Sequence, residues 1–272
     1  MTGAVGLVVV EAGWATSIQD GGRPGYADIG VSRSGALDQP LRAVLNLLVG
    51  NRKDAAVLET LGGLRLQPTA AVVIAVSAER IARAVVAGET IDVEPAAGEL
   101  WGYLAVRGGI AVEPVLGSRS QDSRSGLGPD PVGAAGHVPV GAPMSDPVAT
   151  EQAPPPPPTS EVRIWPGPRI DWFDDDTITS LTNAEWTVSS EVSRVGVRLD
   201  GPTLRPHDRG ELPSEGLLLG AIQVPPDGRP IVMLADHPTT GGYPVVAVVD
   251  PESVATVAQA RPGSRLRLRL VQ

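Results

Sequence analysis

The 272-residue sequence contains no cysteine and a single lysine, Lys53, and both scarcities exclude familiar chemistry. Without cysteine there is no disulfide framework, no thiolate zinc site and no cysteine nucleophile. The lysine lies in an Asn-Arg-Lys-Asp segment, so the Gly-Lys-Ser/Thr phosphate loop is absent, and a serine–lysine nucleophile would need this same residue. The three histidines, His137, His207 and His237, are far apart and form no His-x-x-x-His pair. We therefore expect neither a zinc hydrolase nor another metal centre.

Positive charge is also in short supply, because the formal net charge is −9 at pH 7. Nucleic acids and anionic membranes are bound through clustered cations, so we expect neither as a partner. No apolar run approaches the roughly 20 residues that cross a bilayer. The start of the sequence, MTGAVGLVVVEAGW, lacks the basic segment of a signal peptide. These observations predict a cytoplasmic protein.

Glycine and proline are abundant by contrast, with 32 and 27 residues, which is high for a helical protein. They separate short runs of valine, isoleucine and leucine, as is typical of β-barrels and sandwiches. The runs that predict strands are GLVVVEA, AVVIAV, ARAVVAG, ELWGYLAV, EVRIWP, PIVMLAD, YPVVAVV and SRLRLRLV. Helices are predicted only at 37–49, with Asp38 as N-cap, and in two shorter segments, 174–183 and 251–260.

A proline-rich segment at 145–160 divides the sequence, because the five prolines of Pro154–Pro158 favour polyproline II and cannot donate to a sheet. We predict an N-terminal domain at 1–144, this linker, and a C-terminal domain at 161–272. A long surface loop inside one domain is the alternative.

Three segments of the first half recur in the same order in the second half. They are 8–13 with 162–167, 31–40 with 192–202, and 72–76 with 231–235. We interpret the shared order as a tandem duplication that gave two related domains.

The segment 16–25, TSIQDGGRPG, is the first that offers groups for binding or reaction. Gln19 and Asp20 precede a diglycine, at which the backbone can approach a ligand closely, and Arg23 adds a guanidinium suited to carboxylate or phosphate. A hairpin turn in which Asp20 caps its own loop is the alternative.

A second candidate follows the predicted strand at 100–106, where Arg107 precedes two glycines and 116–120 reads LGSRS. Ser118 and Arg119 beside glycines are typical of oxyanion binding through hydroxyls and backbone amides. The Gly-x-Ser-x-Gly elbow is missing, so we expect binding rather than covalent catalysis, unless these are simply polar loops between strands.

The third candidate lies at 214–244, where carboxylates stand at strand ends beside hydroxyls and glycines. Glu215 and Asp236 are placed to share acid/base or metal-phosphate work, with Gln223 between them in sequence. An ordinary strand–turn connection needs the same glycines and is the alternative. His237 is expected to be an exposed, ordinary histidine.

Taken together, these motifs resemble the biotin-dependent carboxyltransferase, or allophanate hydrolase subunit 2, family, whose members include KipA and the 5-oxoprolinase C subunit. The motifs that carry the resemblance in the first half are 19–25 (QDGGRPG), 34–38 (SGALD), 46–51 (NLLVGN), 58–63, 107–109 and 116–120. Those of the second half are 193–199, 214–216, 220–225 and 236–244.

The resemblance implies a mainly β fold of two tandem, related, cyclophilin-like β-barrel domains with a few short helices. It also implies an obligate partner, a subunit 1 or KipI-like protein. The expected function is that of the C subunit in an ATP-dependent 5-oxoprolinase, inactive alone, which opens 5-oxoproline to glutamate together with that partner and an A-type subunit. ATP with magnesium would serve the complex.

Two other functions occur in the family and remain open. One is the carboxyltransferase subunit of a urea carboxylase or allophanate hydrolase type of system, in which carboxybiotin is the cofactor. The other is a KipA-like regulator that binds a kinase inhibitor and catalyses nothing.

Under the 5-oxoprolinase interpretation, Asp20, Glu215 and Asp236 are the predicted catalytic residues. The predicted substrate-binding residues are Gln19, Arg23, Ser34, Asp38, Arg107, Ser118, Arg119, Gln223, Thr239, Thr240, Gly241 and Tyr243. Arg23, Ser118 and Arg119 would hold anionic groups, whereas the two glutamines would bind a substrate amide.

Overall fold

The structure, a computed structural model, describes residues 5–143, 146–156 and 159–271. The chain divides into two compact units, one of residues 1–23 and 34–157 and the other of residues 24–33 and 158–272. The predicted domain boundary at 144 and three positions of the predicted linker, 145, 157 and 158, lie outside the described residues. The predicted domain limits therefore stay a prediction.

The first unit consists of two antiparallel sheets and one α-helix. Its strands are β1 (Gly6–Ala12), β2 (Ser17–Gln19), β3 (Val57–Thr60), β4 (Leu64–Pro68), β5 (Val72–Val76), β6 (Ala82–Val85), β7 (Ile91–Val93), β8 (Gly102–Val106) and β9 (His137–Pro139), and its helix is α1 (Gln39–Leu48). One sheet has the strand order β7-β4-β1-β9 and the other β2-β3-β8-β5-β6. A single buried cluster takes side chains from both sheets, among them Leu7, Leu66, Leu58 and Ile74. Burial of these apolar side chains between the sheets stabilises the unit.

Helix α1 begins and ends where its sequence predicts. The Asp38 carboxylate accepts a hydrogen bond from the Leu41 N–H at 2.9 Å, and a proline occupies the first turn. The Gly50 that follows the helix has a φ of +70°, a left-handed conformation that glycine adopts without strain. Helix α1 packs against β8 and β5.

The segment 146–156, which belongs to the predicted linker, is fastened to the first unit. The Ala149 N–H donates to the Leu48 carbonyl and the Ala153 N–H to the Arg80 carbonyl, each at 2.8 Å. These bonds explain why the compact first unit continues past residue 144.

The second unit is a closed seven-stranded barrel with a separate two-stranded sheet and two α-helices. Its strands are β10 (Glu161–Pro166), β11 (Trp186–Val192), β12 (Gly196–Asp200), β13 (Glu215–Gly216), β14 (Ala221–Gln223), β15 (Ile231–Met233), β16 (Thr240–Gly241), β17 (Val245–Val249) and β18 (Arg265–Leu270), and its helices are α2 (Thr177–Asn183) and α3 (Val254–Gln259). The barrel order is β10-β17-β14-β15-β12-β11-β18, and it closes by parallel pairing of β10 with β18. Strands β13 and β16 form the small sheet.

The arginine–leucine alternation of β18 has the predicted effect. Leu266 and Leu268 are buried inside the barrel, whereas Arg265, Arg267 and Arg269 are exposed. Leu270, at the end of the strand, is exposed as well. Short 3₁₀ helices at Ala27–Ile29, Ile170–Trp172 and Pro251–Ser253 complete the described secondary structure.

The mainly β prediction is confirmed, and each of the eight apolar runs contains a strand. The closed barrel is found in the second unit, while the first unit has two sheets. The runs do not predict the other described strands, which are β2, β3, β4, β7, β9, β11, β12, β13, β14 and β16. Six of these have only two or three residues, which is too few to show a pattern. The longer β3, β4, β11 and β12 mix polar with apolar residues and so form no continuous apolar run. No described helix combines the length and apolarity needed to cross a membrane.

Two of the three repeated segment pairs have the same structure in both units. Residues 8–13 and 162–167 lie largely in β1 and β10, and 72–76 and 231–235 contain β5 and β15. The third pair differs, since 31–40 is a loop that leads into α1 whereas 192–202 runs from β11 into β12. These two segments are therefore similar in sequence but differ in local structure.

Candidate functional site

In the first unit, the Asp20 carboxylate joins the two loops that the sequence singles out. Its Oδ1 accepts hydrogen bonds from the Gly22 N–H at 2.8 Å, the Ser118 hydroxyl at 2.5 Å and the Ser120 hydroxyl at 2.7 Å. Its Oδ2 accepts from the Arg119 N–H at 2.6 Å. Because the carboxylate is buried and hydrogen-bonded in this way, it fixes the diglycine turn against the loop 117–120.

The two arginines predicted to hold anions have different surroundings. Arg23 is almost fully buried and donates to the carbonyls of Val115 and Ser120, which makes it part of the loop framework. Arg119 is only partly buried, and its Nε donates to the Val112 carbonyl at 2.7 Å. Arg119 lines a pocket of the first unit, and Arg23 is not among the lining residues of that pocket.

This pocket, which we call the diglycine pocket, has a volume of about 350 Å³. It is lined by Asp20, Gly21, Gly22, Asn51, Arg52, Asp54, Ala55, Gly108, Gly117 and Arg119. A Cβ placed on Gly21 or Gly117 would meet no atom within 4 Å, so a ligand has open access to the backbone at both positions. The pocket therefore combines glycine backbone with a partly exposed arginine, a combination suited to a small anionic group.

The loop at 34–38 packs directly onto the diglycine turn. A Cβ on Gly35 would lie 2.9 Å from the Gly22 nitrogen, so only glycine fits this approach. The Ala36 N–H donates to the Asp20 carbonyl at 2.9 Å. Ser34 has a φ of +52°, is 3% exposed, and its hydroxyl has no hydrogen-bond partner among the described residues. A strained backbone with an unsatisfied buried hydroxyl is a feature that clusters at functional sites.

Glu59 and Tyr103 hold the other end of this loop. The Glu59 carboxylate accepts from the Leu37 N–H and the Tyr103 hydroxyl, each at 2.8 Å, and the tyrosine oxygen accepts from the Asp38 N–H. Burial, and then the charge of Glu59, raise the pKa of Tyr103 well above its ordinary value. The tyrosine therefore stays protonated and donates to the carboxylate.

The Arg107 side chain supports the backbone around the pocket. Its guanidinium donates to the carbonyls of Val49 and Asp146, at 3.0 and 2.8 Å. Asn51, which lines the pocket, accepts from the Gly108 N–H at 2.8 Å and donates to the Val106 carbonyl. These bonds fix the end of helix α1 to the loop after β8.

Gln19 lies next to Asp20 and is fully buried. Its side-chain nitrogen donates to the Ser17 hydroxyl at 2.9 Å and to the Gln121 carbonyl at 3.0 Å. The side-chain oxygen of Gln19 has no hydrogen-bond partner among the residues that the structure covers. Its predicted role in binding a substrate amide stays a prediction.

In the second unit, Glu215 forms a two-bond ion pair with Arg169. The Arg169 Nε lies 3.0 Å from the Glu215 Oε2, and a second guanidinium nitrogen contacts Oε1. This hydrogen bonding lowers the pKa of the Glu215 carboxyl. The carboxylate is thus ionised at neutral pH, and sequence reasoning does not identify its arginine partner.

The pairing of β13 with β16 places Glu215 opposite Gly241 and Gly216 opposite Thr240. The Leu217 N–H donates to the Thr239 carbonyl at 2.9 Å. Buried Gln223 donates from its side-chain nitrogen to the Tyr243 carbonyl at 3.0 Å. The fold therefore brings together most of the residues predicted between 214 and 244.

Two buried side chains approach Gly241 closely in this arrangement. A Cβ at this position would lie 2.6 Å from the Gln223 Nε2 and 2.7 Å from a Leu217 methyl carbon. We expect Gly241→Ala to displace Gln223 from the Tyr243 carbonyl and to lower the free energy of unfolding by about 1–3 kcal/mol. Chemical denaturation monitored by tryptophan fluorescence measures this.

Gly242→Ala is the matched control, because its Cβ would approach only the Leu212 carbonyl, at 3.4 Å. We expect this neighbouring variant to change stability by less than about 0.5 kcal/mol. Equal losses in the two variants would contradict the crowding argument.

Asp236 is fully buried and forms a two-bond ion pair with buried Arg194, at 2.9 and 3.1 Å. The Asp236 N–H also donates to the Arg194 carbonyl. His237 was expected to be exposed, but this expectation is wrong: only 6% of it is exposed and its Nδ1 lies 2.7 Å from the Pro238 carbonyl. The strand-end turn folds the imidazole inward.

Sequence reasoning misses the pocket residues Arg52 and Asp54, which follow helix α1. They form an ion pair with a distance of 2.8 Å, and hydrogen bonding from Arg52 lowers the pKa of Asp54. Their position directly after the helix-ending glycine, in a polar turn, is the only sequence signal. Among the described residues no group of three histidine, aspartate or glutamate side chains is placed to hold a metal ion.

Comparison with known proteins identifies the family of this chain. The family model described as carboxyltransferase domain, subdomain A and B, matches residues 29–270. The chain belongs to this family. The match confirms the resemblance inferred from the motifs and includes every predicted site residue except Gln19, Asp20 and Arg23.

Individual members of the carboxyltransferase-domain family are similar over nearly the whole chain. The C subunit of 5-oxoprolinase from Escherichia coli strain K12 is 35% identical over 274 residues, which cover 93% of this chain and 87% of that protein. The crystal structure of TTHA0988 has a TM-score of 0.88 and 34% identity, and it covers 98% of this chain. This chain spans only 56% of that protein.

The Kluyveromyces lactis urea carboxylase has the same fold in part of a larger chain. It gives a TM-score of 0.89 at 27% identity, and covers 98% of this chain but only 27% of its own. The family thus includes both separate subunits and domains within longer enzymes.

Proposed function

We propose that this protein is the C subunit of an ATP-dependent 5-oxoprolinase, which opens the lactam ring of 5-oxoproline to give glutamate. The observation that carries the proposal is the 35% identity to the corresponding Escherichia coli protein over almost the full length of both chains. The chain acts in a complex with a subunit 1 or KipI-like protein and an A-type subunit, and is inactive alone.

The diglycine pocket binds the carboxylate of 5-oxoproline. Arg119 offers a guanidinium at the wall of the pocket, and the open backbone at Gly21 and Gly117 lets a small substrate approach closely. The volume of about 350 Å³ lies at the lower end of the range for small-molecule sites. Guanidinium–carboxylate pairing of this kind gives both orientation and binding energy.

Among the three predicted catalytic carboxylates, Asp20 acts by positioning. Its two oxygens already accept four hydrogen bonds from the loops that form the pocket. The Ser118 hydroxyl already donates a hydrogen bond to Asp20. Arg119 is therefore the side chain of that loop that contacts the substrate. Of the two predicted catalytic carboxylates in the second unit, Glu215 remains ionised beside Arg169 and has solvent access, whereas Asp236 is fully buried.

ATP with magnesium is assigned to the complex as a whole. We assign no step on this chain to the nucleotide.

Co-expression with the two partner subunits tests the proposal. Purified complex incubated with 5-oxoproline, ATP and magnesium is expected to release glutamate and phosphate, whereas this chain alone is expected to release neither. An assembled complex that hydrolyses no 5-oxoproline would exclude the proposed function.

Arg119→Gln in that complex is expected to raise the KM for 5-oxoproline about 10- to 100-fold, because a hydrogen bond to a charged group contributes about 1.5–3 kcal/mol. Steady-state kinetics measure the change. The control is Arg52→Gln in the same pocket, whose guanidinium is already paired with Asp54 and for which we expect less than about a threefold change. Equal KM changes in both variants would remove Arg119 from the substrate site.

A second function is supported by a specific observation, the carboxyltransferase description of the family together with the similarity to a urea carboxylase. In that case the chain transfers a carboxylate from carboxybiotin, held by another protein, to a small amide such as urea. Carboxylation of urea by this chain and a carboxybiotin donor, without 5-oxoproline hydrolysis by the complex, would favour this function.

A further inference from the structure

A second pocket, which we call the barrel-end pocket, lies within the second unit and has a volume of about 970 Å³. It is formed where β12 and β14 end and β17 begins, and the loop at 203–212 makes one wall. Of the predicted site residues, only Tyr243 lines it. Its volume far exceeds the requirement of a molecule as small as 5-oxoproline.

The loop at 203–212 has no regular secondary structure, yet specific contacts hold it in place. The His207 N–H donates to the Trp172 carbonyl at 2.7 Å, and the Leu204 N–H donates to the Gly228 carbonyl at 3.0 Å. Arg209 pairs with Asp171 at 3.0 Å, and its guanidinium stacks 6.0 Å from the centre of the Trp172 ring. The pocket wall is therefore a built feature of this unit.

Aromatic rings and prolines form much of the pocket surface. Trp172 and Tyr243 line it together with Pro206, Pro226 and Pro244. Tyr243 is 47% exposed although its ring is large and apolar. Aromatic side chains around a groove are the surface on which extended, proline-containing segments bind in other proteins.

The charges of the pocket favour a cationic occupant. Asp208 and Glu211 both line it, and within the described chain neither has an ion-pair partner. Arg205 is the one lining arginine, and Asp227 is already paired with Arg198 at 2.7 Å. Two unpaired carboxylates against one guanidinium disfavour a nucleotide or another polyanion and favour a basic side chain.

We propose that the barrel-end pocket binds an extended segment of a partner polypeptide, in which an arginine or lysine lies next to apolar residues that include proline. The basic side chain pairs with Asp208 and Glu211, and the apolar residues pack on Trp172 and Tyr243. The inference rests on the proposed function in one respect, because the partner is taken to be a subunit of the same complex.

The test measures assembly separately from activity. Asp208→Lys/Glu211→Lys is expected to weaken the binding of this chain to its co-expressed partner subunits at least about tenfold, because it reverses the charges that face the basic side chain. Glu113→Lys/Asp130→Lys, which makes the same change of net charge at exposed residues of the first unit that do not line this pocket, is expected to leave the affinity within about twofold. Equal affinities of the two double variants would overturn the inference.

Photo-crosslinking identifies the occupant directly. p-Benzoylphenylalanine in place of Tyr243, in the assembled complex, is expected to link to a partner segment that contains a basic residue and proline. Links only to a second copy of this chain, or none from an assembled complex, would overturn the inference. If the crosslink forms as expected but the complex without any substitution releases no glutamate, the proposed function is excluded and the pocket assignment stands.

Discussion

Asp20→Asn is expected to lower the free energy of unfolding by about 2–3 kcal/mol and to raise the KM of the complex for its substrate. The carboxylate accepts four hydrogen bonds, two from backbone N–H groups and two from serine hydroxyls. An amide retains one acceptor oxygen but turns its NH₂ group toward a donor, so at least one buried donor loses its partner. The loops that form the diglycine pocket then separate.

Denaturant unfolding and steady-state kinetics measure the two effects of Asp20→Asn. Asp54→Asn is the control, because Asp54 lines the same pocket but its carboxylate is exposed and paired with Arg52 at the surface. We expect it to change the free energy of unfolding by less than about 1 kcal/mol. If Asp20→Asn leaves stability and KM unchanged but abolishes kcat, Asp20 is a catalytic residue rather than a positioning one.

Asp236→Ala is expected to cost about 3–5 kcal/mol of stability, because it leaves the Arg194 guanidinium buried without its carboxylate. The two side chains are 5% and 0% exposed. Thermal and denaturant unfolding measure the loss. The control is Asp227→Ala, which removes an exposed partner of Arg198 and is expected to cost less than about 1 kcal/mol.

The double variant Arg194→Met/Asp236→Leu distinguishes a structural role of Asp236 from a catalytic role. Replacing both members of a buried ion pair by apolar residues is often close to neutral, so we expect most of the lost stability to return. If activity of the complex returns as well, Asp236 acts by holding the fold. Activity that stays absent in a stable double variant would support the predicted catalytic role.

Local sequence patterns predict helix α1 and strand β18 well, because their causes are local. Asp38 caps the helix by accepting a hydrogen bond from the N–H of the residue three positions later. The alternation of arginine and leucine in Ser264–Val271 follows from the two faces of a strand. The structures of 31–40 and 192–202 differ despite similar sequences. The left-handed Ser34 and Gly35 turn the first segment against the diglycine, and the second extends into β12.

The roles of the charged residues depend on contacts between distant parts of the chain. Ser118 is 98 residues from Asp20, and Asp236 is 42 residues from Arg194. The motifs that contain these residues do not reveal which residue each of them contacts. The sequence therefore predicts that Arg23 and Arg119 bind anions alike, and only the fold shows that Arg23 is buried among carbonyls.

The sequence by itself determined the class of protein and the chemistry it lacks. The absence of cysteine excludes thiol mechanisms of this chain, and the single lysine and scattered histidines predict neither a serine–lysine nor a zinc mechanism. The motifs predict the family that the family model confirms. Only the tertiary structure decided which carboxylates are already hydrogen-bonded or ion-paired within the protein. It also decided that Arg119 lines the diglycine pocket and that the closed barrel forms in the second unit. The physical reason is that burial and hydrogen bonding are properties of atoms brought together by folding, which composition and spacing do not record.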